Sequence, residues 1–119
     1  MEPFDVQGLR QYAEKAAPFE FVGYIALDGH IVPFENVAKD RTKNFLVRPD
    51  ELVRMQRAGY LGICHSHVDQ NAYLSNEDVE GANDFGKLYV VASVIKGFCN
   101  DVQVFLLAGA PGHKKFIRL

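Results

Sequence analysis

Two imidazoles, a hydroxyl and a carboxylate fall within residues 65–78: His65-Ser66-His67, a gap of seven residues, Ser75, then Asp78. Gly59 to Cys64 ahead of them reads as a short apolar strand. Strand side chains at i and i+2 share a face, so His65 and His67 project together while Ser66 and Cys64 point away. Two neutral imidazoles joined by a carboxylate from the next element are three ligands of the kind zinc favours. Catalytic zinc sites commonly have three protein ligands and leave a fourth position to water. Each half also has an ordinary explanation. A strand histidine is often just a packed polar residue, and Ser75-x-x-Asp78 has the form of a helix N-cap with an acidic residue at N3.

The elements that must position these residues read as follows. Phe4 to Ala17 carries Val6, Leu9, Tyr12, Ala13 and Ala16 at helical spacing, with Asp5 as cap and Pro18 as stop. Phe19 to Leu27 reads as a strand, Asp28-Gly29 as a hairpin turn, and His30 to Phe34 as the returning strand. Lys39 to Asn44 is a polar loop and Phe45-Leu46-Val47 a short strand. A helix opens at Arg48-Pro49-Asp50 and stops at Gly59. After the histidine strand come a loop from Val68 to Leu74 and a helix begun by Ser75, running towards Phe85. Lys87 to Val94 and Val102 to Leu107 are apolar strands, with Gly97 and Asn100-Asp101 between them. Lys114 to Leu119 is an edge strand beyond the break at Ala110-Pro111-Gly112. This order predicts an α/β fold, a mixed sheet flanked by helices, and a single domain over residues 1–119.

The combined spacing resembles the signature of the JAMM, or MPN-plus, zinc metalloproteases, and the resemblance spans essentially the whole chain. The family places a glutamate upstream on an early strand, and Pro18-Phe19-Glu20-Phe21-Val22-Gly23 stands there. Val68 follows the second histidine where the family commonly has proline, a departure that bears on loop shape and leaves the ligand set intact. The resemblance implies the JAMM/MPN-like (cytidine deaminase-like) sandwich. It implies zinc on His65, His67 and Asp78, Glu20 as general base, and Ser75 stabilising the tetrahedral oxyanion. The implied activity is hydrolysis of a peptide or isopeptide bond.

Within the family, the phage tail assembly type is most similar, on Phe45 to Glu51 with its Arg48-Pro49-Asp50 helix start and on the entry Gly59-Tyr60-Leu61-Gly62. Relatives of that type often continue into an NlpC-type peptidase domain, and this sequence contains none. The short connection from Val68 to Leu74 argues against a dedicated ubiquitin clamp. The expected partners are a protein or peptide substrate, phage tail components or a ubiquitin-like protein. The alternative is a structural or assembly module that keeps the fold without turnover.

Composition sets further bounds. With 48% apolar and 24% charged residues and a net charge of -2, the chain has no basic field for nucleic acid. It has no apolar run long enough to span a bilayer, and Met1 to Asp5 lacks the features of a signal peptide. Cys64 and Cys99, both in apolar surroundings, point to free thiols and a cytoplasmic, reducing setting. His30 and His113, each beside a turn, are expected at the surface. Ser66 has no base placed for it as a nucleophile. Glu77 is set aside as a ligand in favour of Asp78, and Asp69 is close enough after His67 to act as an outer carboxylate.

Overall fold

The computed structural model describes residues 3–119, with Glu77 described in its backbone alone. Met1 and Glu2, part of the N-terminal segment considered above, lie outside the described residues. Helix α1 (Val6–Ala16) is capped as its sequence predicts, with Asp5 Oδ1 accepting from Gly8 N at 2.9 Å. It buries Leu9 and Ala13 against the sheet. β1 (Val22–Ala26) and β2 (Ile31–Pro33) form the expected hairpin through Asp28-Gly29, where Gly29 has φ 93°. α2 (Pro49–Ala58) follows, then β3 (Tyr60–Val68), α3 (Asn76–Gly81), β4 (Leu88–Ile95), β5 (Phe98–Ala110) and β6 (His113–Arg118).

The sheet has the order β2-β1-β3-β4-β5-β6. Among the described strands only β3 and β4 run parallel, because α3 and its loops carry the chain across between them. The histidine strand therefore has a neighbour on each side. Its Gly62 sits against β4 so closely that a Cβ would lie 2.3 Å from Leu88 O. One face of the sheet packs on α1, with Phe4, Leu9, Phe21, Cys64, Val90 and Val94 in the core. The other face meets α2 through Met55, Tyr24 and Tyr60, with Ile63 packed beside them. The α/β class expected from the sequence is the one observed.

Several boundaries differ from the sequence reading, for identifiable reasons. Phe19 to Phe21 precede the strand: Glu20 N donates to Arg41 O at 2.6 Å, so that stretch is bonded to the 36–44 loop. Phe45 to Val47 is extended but not a strand. Leu46 O accepts from Val37 N at 2.9 Å, while Leu46 N goes to the Asn36 side chain at 3.1 Å. The helix after Ser75 ends at Gly81, a poor helix former, and Ala82 has an extended ψ of 123°. Asn100 and Asp101 lie inside β5, where Asp101 pairs with Ser93. The turn is instead Lys96-Gly97, at φ 52° and 83°, the positive pair that a type I′ hairpin turn requires.

Candidate active site

Alternation along β3 sorts its side chains as expected. Cys64 is buried in the α1-side core, where burial pushes its thiol well above the ordinary range. His65 and His67 face the opposite side and line a cleft of about 1320 Å³, together with Glu20, Ser75 and Asp78. All five residues singled out in the sequence are thus brought to one place. Both histidines and Glu20 are buried.

Asp78 reaches the histidines because its helix starts in a fixed way. Ser75 Oγ accepts from Asp78 N at 3.1 Å, and Ser75 N donates to Asp78 Oδ2 at 2.9 Å. This reciprocal capping box holds the carboxylate at the N3 position. From there Oδ1 lies 3.1 Å from His65 Nε2, and Oδ2 lies 3.6 Å from His67 Nε2. Burial disfavours the ionised carboxylate. The hydrogen bonds from His65 and His67 outweigh it and hold Asp78 well below the usual carboxylate range. Burial also works against protonated His67, yet the Asp78 carboxylate and the Asn71 carbonyl raise its pKa above the ordinary value.

Glu20 approaches from the other side, with Oε1 4.0 Å from His65 Nδ1. Its backbone is held at both ends. Asn36 Nδ2 donates to Glu20 O at 3.0 Å, and Phe21 N donates to Ser66 Oγ at 2.7 Å. Ser66 N returns a bond to Phe21 O at 2.9 Å. The serine between the histidines is no nucleophile. It anchors the segment that carries Glu20.

The donor set fits a zinc ion. Two ligand atoms on a tetrahedral zinc with bonds of ~2.1 Å lie about 3.4 Å apart, and the two imidazole-to-Asp78 separations fall on either side of that value. His67 Nδ1 is 3.2 Å from Asn71 O. Donation to that carbonyl would leave Nε2 as the nitrogen that binds a metal. His65 Nδ1 is buried and has no hydrogen-bond partner among the described residues. Glu20, His65 and His67 also offer ligand atoms within 4.8 Å of one another, so the Glu20 carboxylate is close enough to touch whatever the histidines hold.

Sequence reasoning missed the supports of this site. Phe45 packs on the His65 ring at 4.7 Å and Tyr73 meets the His67 ring edge-on at 4.9 Å, bracketing the pair. The outer group on His67 is the Asn71 carbonyl. Asp69 takes no part there, since its Oδ1 accepts from Lys96 N at 3.2 Å and its backbone is left-handed, at φ 56°. Ser93 Oγ ties the same loop down by donating to Gln70 O at 2.5 Å. The histidine at the hairpin turn, His30, is exposed and paired with Asp28, and His113 is exposed, both as expected. The side chain of Glu77 lies outside the described residues.

Among solved structures, the fold is similar to that of a Desulfitobacterium hafniense protein. The two share 20% identity over 93% of this chain and 84% of that one, with a TM-score of 0.67. A Salinibacter ruber protein is also similar, at 25% identity over 95% of this chain and 82% of that one, with a TM-score of 0.58. No curated protein matches significantly. The family model for prokaryotic homologs of the JAB domain matches residues 6–105, a span that includes Glu20, both histidines, Ser75 and Asp78. The chain belongs to the prokaryotic JAB-domain family.

Proposed function

We propose that the chain is a zinc-dependent peptidase or isopeptidase in which His65, His67 and Asp78 hold the metal and Glu20 is the general base. The observation that carries this reading is the convergence of two imidazoles and two carboxylates, from three separate segments, in one open cleft. Zinc in such a set supplies a Lewis acid and lowers the pKa of water to ~7. Glu20 takes up a proton from water in the cleft and returns it to the leaving amine. Its firm backbone anchors keep that carboxylate within reach of His65. Ser75 uses an oxygen lone pair to cap α3, so its hydroxyl hydrogen remains available to a carbonyl oxygen that gains charge during attack. A donor of this kind is worth on the order of 3 kcal/mol in the transition state.

The substrate in this reading is a peptide tail or a protein segment lying across the cleft. Phe45, Leu46, Tyr73 and Leu74 are among the residues that line it. Resemblance over Phe45 to Glu51 supports the phage tail assembly type, with tail components or a ubiquitin-like protein as partners. Among the described residues no helix is long and apolar enough to cross a membrane. Two free, buried cysteines suit a cytoplasmic setting.

The test is zinc content of protein purified without added metal, measured beside cleavage of peptide and isopeptide-linked substrates. Stoichiometric zinc with cleavage abolished by a chelator and restored by zinc is expected. Protein that refuses zinc on reconstitution refutes the reading. Zinc uptake with no cleavage of any such substrate favours the structural or assembly module.

A further inference from the structure

We propose that Lys114, on the outermost strand β6, is a positioning residue: it clamps the carbonyl end of α3 and so sets where Asp78 stands against the two histidines. Its Nζ donates to Val79 O at 3.0 Å and to Glu80 O at 3.1 Å. Those are the carbonyls of the two residues that follow Asp78.

The need for such a clamp follows from what α3 lacks. It has six residues, far fewer than an isolated helix needs to hold together in water. Among the described residues, none of its side chains belongs to either buried cluster. The N-terminal end is fixed by the Ser75 capping box. The last carbonyls of a helix have no partner within it, and an ammonium there satisfies them and complements the negative end of the helix dipole. Asn83 adds only a long contact to Gly81 O, at 3.4 Å.

The hairpin is built to deliver this lysine. Lys114 pairs with Gly109, which has φ 88° and whose Cβ would lie 2.2 Å from His113 O. Only glycine allows that approach, which locks the register that brings Lys114 to α3. β6 lies beyond residue 105, where the family match ends.

The consequence for zinc rests on the reading of Asp78 as a ligand. Lys114→Met keeps the apolar stem and removes the donors, while Lys114→Arg restores donors to the same carbonyls. Zinc affinity is measured by competition with a chromophoric chelator. Amide hydrogen exchange is followed in the zinc-free proteins at Val79, whose N–H bonds Ser75 O at 3.0 Å. For Lys114→Met the expected results are about tenfold weaker zinc binding, the scale of an outer-shell loss, and lost protection at Val79 with β4 unchanged. Lys114→Arg should recover both. Unchanged zinc affinity with unchanged Val79 protection overturns the proposal. So does a loss of protection spread equally over β4 and β5, which would make the lysine a support of the sheet. A parent protein that takes up no zinc defeats the metal reading alone. The exchange at Val79 then decides the clamp: local loss upholds it and retention refutes it.

Discussion

Glu20→Gln separates catalysis from metal binding, and the structure sets what it should do. The residue is 6% exposed, so an amide of the same shape stays in the same place. Three bonds that hold the segment are made by main-chain groups and survive the substitution: Asn36 Nδ2 to Glu20 O, Glu20 N to Arg41 O and Phe21 N to Ser66 Oγ. Thermal stability should therefore change little. Asp78 and both Nε2 atoms are untouched, so zinc content should remain near one per chain. What is lost is a group able to take a proton from water. General-base catalysis contributes typically two to four orders of magnitude, or about 3–5 kcal/mol at 1.36 kcal/mol per decade. The assay is kcat/KM on a cleavable substrate, with metal content determined on the same preparations. Undiminished cleavage by metal-replete Glu20→Gln would refute the assignment of the base. A parallel fall in zinc affinity and rate would show instead that Glu20 is a ligand, a role its distance from His65 also permits.

Three further outcomes follow from the same geometry. His67→Ala should abolish zinc binding, measured by metal analysis, while circular dichroism keeps its helix and strand signal, because the two apolar clusters do not include the site. Ser66→Ala should cost about 1–3 kcal/mol in denaturant unfolding, since it strands the buried Phe21 N–H, and it should slow cleavage with zinc affinity kept. In the zinc-free protein, the His67–Asp78 pair should add most stability between about pH 4 and 6.5, set by the ordinary values of ~3.9 and ~6.5. The lowered carboxylate's share is present above ~3.9 and lost as pH falls through its folded pKa. The raised imidazole's share is present below ~6.5 and lost as pH rises through its own. Unfolding midpoints followed from below pH 4 to above pH 6.5 should vary less in Asp78→Asn, and an identical profile would count against the pair.

What the sequence displayed was local. His65 and His67 are two residues apart on a strand, and Ser75 and Asp78 are three apart at a helix start, so periodicity and capping chemistry alone place each pair. The turn at Asp28-Gly29 and the stops at Pro18 and Gly59 were visible for the same reason. What it hid was non-local. Phe19 to Phe21 looks like the start of a strand, and only bonds to Arg41, Asn36 and Ser66 reveal that it is not. Asp69 looked like a second-layer carboxylate because it follows His67 closely. Its partner is Lys96 N, and the group that orients His67 is the main-chain carbonyl of Asn71, which no side-chain pattern discloses. The supports Phe45, Tyr73 and Lys114 likewise reach the site only through the fold.

One relation joins the local and non-local parts. β1 and β3 are antiparallel with Val22 opposite His65, so the same register extended outward sets Phe21 beside Ser66 and Glu20 beside His67. Alternation then acts on both segments at once. Phe21 enters the α1-side core while Ser66 accepts its N–H, and Glu20 turns into the cleft with the histidines. The paired bonds between Phe21 and Ser66 pin this arrangement at the point where regular strand pairing ends. A slip of one residue would reverse every side chain in the segment, sending Phe21 into the cleft and Glu20 into the core. The hydroxyl between the two histidines therefore ties the Glu20 segment to the histidine strand, although it faces away from both imidazoles.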